Sequence, residues 1–148
     1  MAKTITSMLF GTALAEGKIR SLDDHASVYV PELKGSAYGE TALRSLLTMS
    51  SGVAYTETYE GGDDASEFSR ALQRRDSPGA AALLRGYGNR EVPEGTRFHY
   101  AGSETETLGL VLSAATGEPL PVYASERLWK PLGAEAATEP NAKATIVE

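Results

Sequence analysis

The chain opens on an apolar stretch. Between Lys3 and Glu16 no side chain carries charge, and Ile5, Met8, Leu9, Phe10, Ala13 and Leu14 cover more than one face of a helix. The spacing predicts a helix of about sixteen residues ending at Gly17, a residue suited to a left-handed C-terminal cap. A helix that apolar belongs inside a larger body of protein. Ser21-Leu22-Asp23-Asp24 offers capping residues for a short helical turn ended by Pro31. Glu40 to Met49 predicts a second helix with Leu43, Leu46 and Leu47 on one side, stopped by Ser50-Ser51-Gly52. Past a polar loop through Gly61-Gly62, Asp63-Asp64 caps a helix running to Arg75. Ser77-Pro78 has the pattern of a further helix start, with proline at the first helical position.

The second half alternates turns and helices in the same way. Pro93-Glu94-Gly95 fits a tight turn leading into a short extended segment, Arg97 to Tyr100. Ser103-Glu104-Thr105-Glu106 reads as a capping box, in which the serine and the glutamate satisfy each other's orphan amides. Behind it Leu108, Val111, Leu112 and Ala115 keep helical spacing, and Gly117 closes the element. A last helix covers Val122 to Trp129 before Pro131, with Trp129 and Leu132 as core packing. Residues 141–148 have no pattern, and no repeat is present. The whole reads as mostly helical, with one or two short strands at most.

Composition narrows the chemistry. The 148 residues make one ordinary domain, and 41% hydrophobic with 23% charged residues describes a folded chain rather than a disordered one. A net charge of −6 argues against a nucleic-acid partner, because phosphate binding needs a basic face. The absence of cysteine excludes thiol catalysis, disulfides and thiolate zinc sites. His25 and His99 are the only imidazoles, too few for a multi-histidine metal site, and no cofactor is implied. The uncharged stretch from Thr4 to Ala15 is too short to span a bilayer, and Ala13-Leu14-Ala15 followed by Glu16 is a poor cleavage site. The reading therefore expects neither a membrane span nor a signal peptide in this chain and leaves the compartment open. Ser50 and Ser51 read as stop signals, since no Gly-x-Ser-x-Gly elbow surrounds them. The Asp63-Asp64 pair reads as a cap rather than an acid/base couple, and the two histidines fit no triad.

Short blocks follow one another in a telling order. Lys3 is followed by Gly17-Lys18-Ile19-Arg20-Ser21-Leu22-Asp23-Asp24, Tyr29-Val30-Pro31-Glu32-Leu33 and Leu46-Leu47-Thr48-Met49-Ser50-Ser51-Gly52. Then come Pro93-Glu94-Gly95-Thr96-Arg97-Phe98-His99-Tyr100, Leu108-Gly109 and Leu128-Trp129-Lys130-Pro131-Leu132-Gly133. From Met1 to about Gly133 this series resembles the serine β-lactamase/penicillin-binding-protein-like hydrolases, whose relatives include D-alanyl-D-alanine carboxypeptidases, esterases and 6-aminohexanoate-dimer hydrolases. The resemblance implies a mostly α chain: the helical portion of the α+β β-lactamase/transpeptidase-like fold, with most of the central antiparallel sheet missing. It divides the sequence into a partial hydrolase domain, 1–133, and an unpatterned tail, 134–148.

It also implies a chemistry. In the family's Ser-x-x-Lys motif the two side chains leave one helix face a turn apart. The lysine amine then accepts the serine proton when burial or neighbouring cations depress its pKa. Lys3 matches the motif lysine, which puts the serine immediately before Met1. Tyr100 matches the tyrosine of the second motif, but the third position of that motif, Asn or Ser in the family, is Gly102 here. No counterpart of the third motif, Lys-Thr-Gly or His-x-Gly, is found. The implied function is a fragment of a serine hydrolase acting on a small amide or ester through an acyl-serine, inactive by itself. The alternative is a non-catalytic helical binding domain on the same scaffold. With the sheet absent, the first helix is expected to expose apolar surface and to drive self-association.

Overall fold

The computed structural model describes residues 2–58 and 60–134, so all but the first residue of the unpatterned tail lies outside them. Helix α1 (Ala2–Ala15) ends as its sequence dictates. Gly17 adopts φ 69°, and the Lys18 and Ile19 amides both donate to the Ala13 carbonyl at 2.9 and 3.2 Å. Leu9, Phe10 and Ala13 are buried while Met8 and Leu14 stay exposed, so α1 seats one apolar stripe and presents a second.

Two 3-10 turns follow, Ala26–Val28 and Pro31–Leu33. Pro31 opens the second rather than ending the first, consistent with a fixed φ and no amide to satisfy. The helix expected over 40–49 contracts to α2 (Leu43–Leu47). The backbone before it is already spoken for by tertiary partners. The Arg90 guanidinium donates to the carbonyls of Ala37 and Glu40 at 2.8 and 3.2 Å and to Thr41 Oγ1 at 2.9 Å. The Ala42 amide donates to Glu94 Oε1 at 3.0 Å. Helix α3 (Asp64–Gln73) has Asp63 as its cap, with Oδ1 accepting the Ser66 amide at 2.9 Å. Helix α4 (Ala80–Leu84) starts after Gly79, at φ 90°, and not at Pro78; only the glycine reaches that backbone angle without strain.

Helix α5 (Gly102–Thr116) is the centre of the fold, with α1, α2, α4 and a later helix, α6, packed against it. Val111 and Leu112 are fully buried, and Gly117 closes the helix at φ 72°. Its predicted capping box does not form. The N-cap is Ala101, and the Ser103 hydroxyl instead meets the buried Tyr38 hydroxyl at 2.6 Å. Helix α6 (Leu120–Ala124) begins two residues before Val122 and widens into a π turn over Ser125–Trp129. Trp129 packs partly buried against the core, but Leu132 is 65% exposed, so its assignment to the core is corrected: it lies in the turn that Gly133 ends.

Among the described residues there is no sheet, only isolated bridges between His25 and Ala42 and between Val53 and Arg90. The 97–100 segment pairs with no strand; its anchor is the His99 amide, which donates to the Met49 carbonyl at 2.7 Å. Met49 itself sits at φ 53°, the one non-glycine residue with positive φ among those described.

Candidate functional site

The two residues singled out by their motifs come together. Lys3 lies in the first turn of α1 and Tyr100 just before α5, and the Lys3 Nζ sits 4.2 Å from the centroid of the Tyr100 ring. An ammonium over an aromatic face at this range gains about 0.5–1 kcal/mol where water has access. Tyr100 is 42% exposed, so this pair faces outward from the helical body.

Tyr100 is held from both sides by one stretch of chain. The His99 ring Nε2 lies 2.7 Å from the Tyr55 carbonyl, and the Gly102 amide donates to Glu57 Oε2. The 55–57 stretch is in turn fixed by the start of α3. Asp64 Oδ2 accepts from both the amide and the hydroxyl of Thr56, at 2.8 and 2.6 Å. Asp63 Oδ2 does the same for Thr58, at 2.6 and 3.0 Å. The aspartate pair is thus a cap, as expected, and also a clamp. Hydrogen bonds from Ser66 and then Thr58 hold the Asp63 carboxyl well below the usual range.

Beneath the pair lies a buried polar network. Glu104 is only 1% exposed. Its Oε1 accepts from the Ser51 hydroxyl at 2.6 Å and the Ser51 amide at 3.3 Å, while Oε2 and the neighbouring Thr105 Oγ1 are buried without a hydrogen bond. Burial pushes the Glu104 carboxyl up to about 7, against the downward pull of its Ser51 bonds and of Arg90. Arg90 also donates to the Ser51 carbonyl, so the Ser50-Ser51-Gly52 turn is gripped from two directions. Ser50 and Ser51 therefore serve structure. Behind them Tyr38, Tyr55 and Tyr87 meet edge to face, with centroids 6.1 and 5.2 Å apart.

The remaining candidates stand apart. His25 faces Glu40 across 3.6 Å at the surface. Among the described residues no cluster of His, Asp or Glu has the arrangement of a metal site, and no helix is long and apolar enough to cross a membrane. Gly102, where a side chain was expected from the motif, leaves its place to another residue: a Cβ built there lies 3.2 Å from Glu57 Oε2 and 3.6 Å from Oε1. Neither Glu57 nor Glu104 carried a signal in the sequence. Glu57 sits in an irregular polar stretch, and Glu104 reads as a first-turn helix glutamate.

Known proteins are similar to this chain in sequence and in fold. The family model described as Beta-lactamase matches residues 1–144. A 6-aminohexanoate-dimer hydrolase of Paenarthrobacter ureafaciens is 29% identical over 147 residues, covering 91% of this chain and 35% of that protein. A β-lactamase of Pseudomonas fluorescens is 32% identical over 92 residues, covering 62% of this chain and 25% of that one. Among solved structures, the D-alanine carboxypeptidase AmpC from Burkholderia cenocepacia superposes with a TM-score of 0.64 at 25% identity, covering 89% of this chain and 32% of that chain. The chain therefore spans about a third of the length of its first curated relative.

Proposed function

Because this chain belongs to the β-lactamase family, we propose that it is the helical part of a serine hydrolase that cleaves a small amide or ester through an acyl-serine intermediate. Lys3 serves as general base and Tyr100 as its proton partner. The observation that supports this most is the 4.2 Å approach of the Lys3 Nζ to the Tyr100 ring, two residues far apart in sequence meeting on one outward-facing surface. The nucleophilic serine falls one residue before Met1, in a longer polypeptide, at the positive end of α1. Its hydroxyl gives its proton to the Lys3 amine as the oxygen attacks the substrate carbonyl. The proton then reaches the leaving group by way of Tyr100, and water hydrolyses the acyl ester.

The substrate class is a β-lactam, a D-Ala-D-Ala peptide, an ester or a linear amide. The net charge of −6 fits such small molecules and not nucleic acid. A second reading, a non-catalytic helical binding domain, is favoured by one observation: Gly102 offers substrate no side chain.

One experiment separates the two. The chain is joined in frame to the flanking parts of the 6-aminohexanoate-dimer hydrolase relative and offered p-nitrophenyl acetate and a fluorescent penicillin. A p-nitrophenol burst and a labelled band are expected, with both reduced by about 10²–10⁴-fold in Lys3→Met. A soluble, cooperatively folded chimera that neither labels nor turns over supports the binding domain instead.

A further inference from the structure

Tyr100 leaves the chain from a stretch, 97–100, that carries no helix or strand, so its direction has to be fixed from outside. The fixing begins at the 49–52 turn. Four consecutive carbonyls there face the 90–99 segment. Met49 accepts the His99 amide at 2.7 Å, Ser50 the Gly95 amide at 2.8 Å, Ser51 the Arg90 guanidinium, and Gly52 the Glu91 amide at 2.8 Å. An extended chain turns successive carbonyls to opposite sides, so such a run needs left-handed backbone. Met49 at φ 53° and Gly52 at φ 74° supply it, and at Met49 a side chain makes that conformation a strained one. The Met49 bond ends on the residue before Tyr100.

His99 is tied a second time, through its ring. Nε2 lies 2.7 Å from the Tyr55 carbonyl, which can only accept, so Nε2 carries the hydrogen. Exposure alternates along the stretch: Phe98 is exposed, His99 half-buried, Tyr100 exposed and Ala101 buried. Alternation of period two belongs to an extended chain, and Ala101 has extended angles, φ −145° and ψ 120°. A ring fixed inward at 99 therefore sends the next side chain outward, where Tyr100 meets Lys3.

We propose that His99 is the positioning residue of the pair: its amide on Met49 and its ring on Tyr55 set the direction of the Tyr100 ring and hold it against the Lys3 Nζ. The part of this that concerns catalysis rests on reading Lys3 and Tyr100 as the acid/base couple. In that role His99 handles neither substrate nor proton; it narrows where the phenol can be. Without the ring bond, the Met49 bond is left as a single pivot about which the 99–101 backbone turns. A proton partner misplaced by about 1 Å costs on the order of 10²-fold in rate.

Two readouts test it. In the 148-residue chain carrying labelled lysine, the ε-methylene protons of Lys3 should be displaced upfield by the Tyr100 ring, with Tyr100→Leu setting the zero of that displacement. His99→Phe keeps a planar ring without a donor and is expected to lose most of it. His99→Gln, whose amide nitrogen reaches where Nε2 stood, is expected to retain it. Leu72→Ala, a truncation against the core at the other end of α3 from its cap, lowers stability and leaves the displacement unchanged, which sets positioning apart from general loosening. His99→Ser, too short to reach Tyr55, decides the matter if His99→Phe does not fold. In the chimera described above, His99→Phe should lower kcat by about 10–100-fold with KM little changed, and His99→Gln should recover it. A displacement as large in His99→Phe as in the unmodified chain, or lost equally in His99→Gln or Leu72→Ala, overturns the proposal. Displacement lost as expected beside a chimera that never acylates keeps His99 as the anchor of the pair and removes the hydrolase reading. An acylating chimera whose kcat is indifferent to His99→Phe removes His99 alone.

Discussion

Glu104 should make part of this protein's stability respond to pH in the opposite sense from its surface carboxylates, and Glu104→Gln should remove that response. Glu104 is buried with one oxygen bonded to Ser51 and the other without a partner, and its carboxyl rises from 4.5 to about 7. A group whose pKa is raised by folding favours the folded state below its unfolded value and loses that contribution as pH rises through the folded one. The window therefore opens near 4.5 and closes above about 7. At 1.36 kcal/mol per unit the change amounts to about 3 kcal/mol of stability lost across it. Gln cannot ionise, but its amide nitrogen is placed where the Glu104 Oε2 has no partner, at a constant cost of about 1–3 kcal/mol. Relative to the unmodified protein, Glu104→Gln should thus be the weaker at pH 4.5 and recover about 3 kcal/mol by pH 8.5. Urea unfolding followed by circular dichroism at four pH values measures this. Using the difference between the two proteins cancels Asp63, Glu40 and Asp23, whose lowered pKa values act in the other direction. Parallel stability curves, with a difference constant to about 0.5 kcal/mol, would refute the reasoning.

Two further outcomes follow from packing. Gly52 sits at φ 74° with the Val92 carbonyl oxygen 2.2 Å from where a Cβ would stand, so Gly52→Ala should cost about 3 kcal/mol or more, read as a lowered thermal midpoint. Phe98 at 70% exposed, Leu132 and the outer stripe of α1 (Met8, Leu14) leave apolar surface uncovered, so the isolated chain should bind an apolar-surface dye and sediment as concentration-dependent species. A sharp thermal transition from a monomer that binds no dye contradicts that expectation.

What the sequence announces well is whatever is settled within a turn or two. Gly17, Asp63 and Gly117 cap helices where their types say they should, because backbone angle and capping bond are local. Ser103 misleads for the opposite reason: its hydroxyl has a local use as a cap, and Tyr38, sixty-five positions away, takes it instead. The helix over 40–49 shortens on the same principle, since Arg90 and Glu94 claim its first backbone groups. At the site, Lys3 and Tyr100 were legible as motif positions, while their approach was not, because nothing in local spacing fixes how α1 lies against the segment before α5. Glu57 was invisible altogether. Its position beside Gly102 depends on an absent side chain there and on two threonines held by a helix start.

Glu16 accepts from Arg127 and Tyr123, at separations of 111 and 107 residues, and so joins the end of α1 to the far side of the sequence. On a ribosome the first of these residues waits for the second. At about 5–20 residues per second, roughly 6–20 s pass between making Glu16 and making Arg127. For most of that interval α1 has no α5 to pack on, and to its end Glu16 lacks Arg127, so the apolar stripes of the helix stay uncovered. The fold thus carries a biosynthetic liability at its first helix, and slowing translation between these two points should raise the yield of aggregated chains rather than of folded ones.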